Sequence, residues 1–94
     1  MKQQFKEKVY RVVFSISKGK VLSYKGVAKK AGNSNAYRAV GNILNRHKIK
    51  KLPCHRVVKS NGEVGGYRWG RKKKIALLKK EGVKIDTKGR IIIK

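Results

Sequence analysis

Phe5, Val9, Val12, Val13 and Ile16 fall at i, i+4, i+7, i+8 and i+11. Only a helix gathers that spacing onto one face, and Lys and Arg occupy the other faces. The chain therefore opens with an amphipathic helix that must bury one stripe, and Gly19 marks its end. Val21-Leu22 is a short extended piece. Ser23 is an N-cap for a second helix over 24–31. Gly32-Asn33-Ser34 is a tight turn. A third helix follows over 35–46, with Ala36, Ala39, Val40, Ile43 and Leu44 as its apolar face. Two short helices joined by a Gly-containing turn make a helix-turn-helix pattern.

Beyond a basic connector over 48–51, residues 52–58 form a compact segment with Pro53, Cys54 and His55. Residues 60–66 are rich in Gly and Asn and form a loop. A fourth helix is predicted over 71–80, with Ile75, Leu77 and Leu78 facing in and Gly82 as its cap. The tail, 83–93, reads as a small β-hairpin turning over 86–89. The expected fold is one domain over 1–94, α+β and mostly helical. It is winged-helix-like, with a helix-turn-helix and a small C-terminal β-hairpin.

Charge narrows the function. There are 27 Lys and Arg against 4 Asp and Glu, a net charge of +23. Repulsion on that scale calls for a polyanionic partner. Four carboxylates exclude an acidic or calcium-binding module. Charge alone does not separate nucleic acid from an anionic membrane. The single cysteine excludes an internal disulfide, and two histidines argue against a structural zinc site. The N-terminus has no apolar run of signal-peptide length, and no stretch approaches a membrane span. A soluble cytoplasmic protein is expected.

The segment Leu52-Pro-Cys-His-Arg-Val57 carries chemistry. Read alone, a single cysteine is most often a small buried hydrophobe. Here nearby cations and an adjacent base favour the reactive thiolate. His55 can take the thiol proton directly or through a water. A carboxylate should orient His55, and the four available are Glu7, Glu63, Glu81 and Asp86. Glu81 is the most fixed, at the end of an amphipathic helix.

Pro53-Cys54-His55-Arg56-Val57 resembles the active-site signature of the O6-alkylguanine-DNA alkyltransferases. Further blocks arrive in the same order as in that family. Val21-Leu-Ser-Tyr24 resembles the piece before the first helix of the helix-turn-helix. Arg38-Ala-Val-Gly41 resembles the recognition-helix motif, and Gly65-Gly-Tyr67 the binding-pocket loop. Lys74, Leu77-Leu78 and Glu81-Gly82-Val83 resemble the closing helix.

The resemblance implies a flipped base and a single, stoichiometric transfer of the alkyl group to cysteine, with no cofactor and no metal. It implies Cys54 as nucleophile, His55 as base through a water and Glu81 as its holder. Tyr24 would press on the flipped nucleotide's phosphate and donate to guanine N3. Val57 would accept from the guanine amino group through its carbonyl. Tyr67 would wall the pocket, the backbone around Arg68 would donate to O6, and Lys74 would support Tyr24. Arg38 would enter the base stack, where a planar guanidinium fits. Tyr37, Ala39, Gly41, Asn42 and Arg56 are further DNA-contact candidates. The partner that the resemblance implies is double-stranded DNA carrying O6-alkylguanine, with the protein expected to bind it as a monomer and not at a membrane. A separate N-terminal-domain-like chain or a repair protein could join it.

Three departures from the family stand out. A stand-alone C-terminal domain, without the family's usual N-terminal domain, is expected. The Asn-Pro hinge before the cysteine is replaced by a shorter connector, in which Asn45 or His47 could substitute. Arg68 and Trp69 stand where small residues are usual. Two other readings compete: a non-enzymatic alkyltransferase-like lesion sensor, and a general basic DNA-binding protein. Cys54 argues against the sensor, whose kind typically has Trp at that position.

Overall fold

The expected stripe closes the first core. In a computed structural model that describes residues 2–92, helix α1 spans Lys2–Phe14. Val9 and Val13 are fully buried, and Ile16 is buried just beyond the helix end. Phe5 and Val12 pack against the same cluster. Each fully buried valine contributes roughly 1.5–3 kcal/mol.

Strand β1 (Leu22–Ser23) leads directly into α2 (Tyr24–Lys30). Ser23 is extended, and its Oγ accepts the N–H of Gly26 at 2.9 Å, which satisfies one of the free donors of the first turn. The turn after α2 passes through Gly32 at φ 102°. Helix α3 is Tyr37–Arg46 and starts two residues later than predicted. Ala36 N–H donates to Asn33 O at 3.0 Å, so residues 33–36 form a separate turn. The buried face is narrower than predicted. Val40 and Leu44 are buried, Ala36 precedes the helix, and Ala39 is exposed.

Cys54–Arg56 is a single 3-10 turn, followed by strand β2 (Val57–Val58). β2 pairs in parallel with β1, Leu22 against Val57 and Ser23 against Val58. This two-strand ladder fixes the cysteine segment beside the start of α2. Helix α4 is Arg71–Lys80, with Leu78 fully buried. Gly82 follows its cap at φ 94°, a conformation that favours glycine.

The tail turns where expected. Asp86 Oδ1 accepts the N–H groups of Lys88 and Arg90, each at 2.9 Å. Pairing consists of isolated antiparallel bridges, Ile85 with Ile91 and Glu63 with Arg90, instead of a regular ladder. Ile93, the last residue of the predicted hairpin, lies outside the described residues. Val58, Val64, Leu78, Val83 and Ile85 form a second core under this tail. The architecture is α+β and mostly helical, with the expected helix-turn-helix. Among the described residues no helix is long and apolar enough to cross a membrane.

Candidate active site and nucleic-acid interface

Pro53 precedes the 3-10 turn, and its carbonyl accepts the N–H of Arg56 at 3.0 Å. The turn points the Cys54 thiol into the first core, where the residue is buried. Burial pushes the thiol up, while the positive charges of Lys74 and Arg68 pull it down. Cys54 Sγ lies 3.1 Å from His47 Nε2.

On the other side of the turn, His55 Nε2 is 3.1 Å from Glu81 Oε2. The two groups are close, but the ring nitrogen is not aligned as a straight hydrogen bond. Glu81 is taken up first by Arg56, whose Nε and Nη2 donate to its two oxygens at 3.0 and 2.6 Å. Arg56 Nη1 also donates to the carbonyl of Ile16 at 2.7 Å. Arg56 holds Glu81 at about 2, with His55 adding to the effect. Arg56 is thus not a free DNA contact, contrary to expectation. Its planar fork matches a carboxylate, and that pairing turns it inward.

Lys74 shows no exposed surface. Its Nζ donates to Val57 O at 2.6 Å and Gly66 O at 2.9 Å, and it lies 5.6 Å from the Tyr24 ring centre. Burial lowers it to about 8. Only Lys74, within the run Arg71–Lys74, points inward, because its position on α4 is one turn before buried Leu78. The Val57 carbonyl keeps a second lone pair beside the one that Lys74 occupies. Tyr24 OH donates to Gly66 O at 3.4 Å. Burial, and then the nearby Cys54, raise both Tyr24 and Tyr67. Tyr67 stands edge-on to His55 at 6.5 Å and to Trp69 at 5.4 Å.

Arg38 leaves α3 on the side opposite Val40 and Leu44 and is exposed. Tyr37, Gly41 and the side of α3 at Asn45 line a cavity of about 510 Å³ that Tyr24, Lys59 and Gly66 close from the other side. Ala39 and Asn42 line a different groove, against α1. The helix therefore divides the expected DNA contacts between two flanks. At its end, the Asn45 carbonyl accepts from Arg68 Nη1 at 2.9 Å, and it is His47 that reaches the cysteine. Arg68 lies 5.3 Å from the Trp69 ring centre. Sequence reasoning did not single out Lys25, Lys59, Ser60 or Asn61, which also line the cavity. The Gly- and Asn-rich composition of 60–66 was the available signal.

The arrangement offers a thiol with a ring nitrogen on one side and a carboxylate-held imidazole on the other. A cavity with Lys25 and Lys59 in its wall opens beside α3. This is the equipment for nucleophilic attack by sulfur next to a polyanion.

Comparison with known proteins agrees with this geometry. Residues 4–83 match the family described as 6-O-methylguanine DNA methyltransferase, DNA binding domain. A methylated-DNA–protein-cysteine methyltransferase of Saccharolobus islandicus is 48% identical over 82 residues, 86% of this chain and 52% of that protein. S. pombe Atl1, solved with damaged DNA containing O6-carboxymethylguanine, superposes with a TM-score of 0.82 at 28% identity, covering 98% of this chain and 90% of that one. Mycobacterium tuberculosis OGT, solved with DNA, gives 0.79 at 34% identity, covering 83% of this chain and 48% of that one. The chain spans about half the length of the curated methyltransferases it matches, or less.

Proposed function

The chain belongs to the family of the 6-O-methylguanine DNA methyltransferase DNA binding domain, and from that premise we propose that it binds duplex DNA carrying an O6-alkylated guanine and takes the alkyl group onto Cys54. The observation that carries this reading is the environment of Cys54. It is the chain's one thiol, placed in a tight turn, with His55 next to it and Glu81 3.1 Å from His55.

In this reading α3 lies along the DNA groove and Arg38 fills the gap left by the flipped base. The base enters between Tyr24 and Tyr67. Its amino group donates to the free lone pair of the Val57 carbonyl, and the backbone near Arg68 donates to O6. Lys74 holds the Val57 and Gly66 carbonyls that shape this wall. His55, held by Glu81, takes the thiol proton through a water. The thiolate attacks the alkyl carbon. The S–C bond forms as the C–O6 bond breaks, the bonding pair returns to guanine, and guanine takes up one proton. The thioether has no route back to thiol, so each molecule acts once. Lys25, Lys59 and the other exposed cations supply phosphate affinity that falls with salt.

The test is intact-protein mass after mixing with an O6-methylguanine duplex, with an undamaged duplex as control. The expected result is the gain of one methyl mass per molecule, mapped to Cys54. Cys54→Ser is expected to gain nothing and still to bind DNA. A second reading, lesion binding without transfer, draws support from the near-complete coverage of Atl1. Tight lesion binding with no mass gain would favour it. No gain and no preference for the lesion would reduce the chain to a basic DNA-binding domain.

A further inference from the structure

The reading above leaves one buried group beside the sulfur without a task. His47 is 3% exposed. It caps the C-terminal end of α3, and its backbone N–H donates to Ile43 O at 3.1 Å. Its ring makes two polar contacts. Nδ1 accepts the N–H of Ile49 at 3.1 Å, and Nε2 lies 3.1 Å from Cys54 Sγ. An amide N–H can only donate, so Nδ1 must present a lone pair. The one proton of the neutral ring is then on Nε2, directed at the sulfur. Tyr10 of α1, at 6.5 Å, and Trp69, at 5.6 Å, stand edge-on to the ring and limit its rotation.

We propose that His47 is a positioning residue for the nucleophile: its tautomer, fixed by Ile49, donates an Nε2–H hydrogen bond to the Cys54 sulfur and favours the thiolate without serving as its base. This deepens the alkyl-acceptor reading of Cys54 and rests on it. A donor gains strength when its acceptor becomes charged, so the contact offsets the burial that opposes ionisation of the thiol.

The surroundings agree. The groups facing this pair are the Tyr10 phenol from α1, the Tyr24 phenol from α2, Trp69, Tyr67 and the Arg68 guanidinium from the loop before α4, and the Lys74 ammonium behind Cys54. The cations among them disfavour a second positive charge on His47 and favour a negative one on sulfur. Burial, and then Arg68, lower the tendency of His47 to protonate. The C-terminal end of α3 pulls the other way. Protonating Nδ1 would also set two N–H groups head to head. An imidazolium–thiolate pair on this side is therefore disfavoured, and removal of the thiol proton falls to the His55 side.

The test reads the thiol in the free protein. Alkylation of Cys54 by iodoacetamide, followed by intact mass across pH, gives the apparent thiol pKa of wild type, His47→Gln and His47→Leu. Glutamine offers an amide N–H near the same point and does not titrate. His47→Leu is expected to raise the apparent pKa by about one unit, the size of one hydrogen bond to a charged group. His47→Gln is expected to stay near wild type. An unmoved titration in folded His47→Leu overturns the proposal. A long-range nitrogen-15 spectrum of the wild-type ring needs no variant, and a proton found on Nδ1 overturns it equally. If the titration shifts as expected but no methyl is gained from the lesion duplex, alkyl transfer falls and the His47–Cys54 contact stands. Methyl gain with an unmoved titration is the reverse.

Discussion

Two histidines lie on either side of Cys54, and opposite kinds of partner hold them. His55 faces the Glu81 carboxylate at 3.1 Å. His47 faces the amide N–H of Ile49 at the same distance. A carboxylate supports an imidazole that takes a second proton, as a general base must. An amide donor occupies the lone pair and leaves the ring able only to donate from its other nitrogen. In the proposed reading the same side chain becomes a base or a fixed donor according to one neighbour. A stretch such as Leu52-Pro-Cys-His-Arg-Val57 makes the first role visible. The second arises seven residues away and depends on how the connector folds back.

Breaking the proposed base should have the largest effect. His55→Gln is expected to slow methyl transfer by about 10²–10³-fold in single-turnover mixing. Its iodoacetamide titration should move less than that of His47→Leu. Equal shifts in the two variants would erase the distinction between them.

The carboxylate side has a signature of its own in acid. Glu81 is held at about 2, first by Arg56 and then by His55, below its ordinary 4.5. A lowered folded-state value means that the unfolded chain binds the proton more readily. The stabilisation is complete above about 4.5 and is lost as pH falls toward 2. Glu81→Gln should lower the melting temperature at pH 7 by roughly 5–15 °C, because Arg56 loses its charged partner. It should also flatten the decline between pH 5 and 2. Parallel melting curves for wild type and variant would show that Glu81 is not held as described.

The smallest change is expected farthest from both histidines. Lys72 and Lys73 are exposed in the first turn of α4. Replacing both with Gln should weaken lesion and undamaged duplexes alike and reduce the salt slope by about 2. The Cys54 titration should not move. A loss confined to the lesion duplex would bring this run into the site.

Local periodicity made the helices legible. The Val9–Val13–Ile16 stripe, the Ser23 cap and the Leu78 face are encoded within a few residues, and each lies close to where the sequence puts it. Non-local contacts were not legible in the same way. Two-residue strands carry no period, so the pairing of Leu22 with Val57 leaves no trace in the pattern. The start of α3 moved because Asn33 and Ala36 close a turn first, and Ala39 is exposed beside the groove against α1. Arg56 looked like a DNA contact because a sequence shows a charge but not what it turns toward. His55 and Glu81 could be paired from the resemblance. Which of Asn45 and His47 reaches Cys54 depends on the path of the connector.

The four acidic side chains of this chain are not equally replaceable, which bears on how such a basic protein can diverge. Glu7 lies exposed on α1, and Glu63 faces Lys59 at 3.6 Å across open surface, an arrangement that contributes little. A lineage gaining positive charge could exchange either for lysine with slight effect. Asp86 holds a turn through two amide N–H groups, a role that asparagine can inherit. Glu81 has no such heir. A lysine there would set a cation against Arg56 and leave the Ile16 end of α1 untethered. Drift toward basicity runs free at two of these positions, narrows at the third and stops at Glu81.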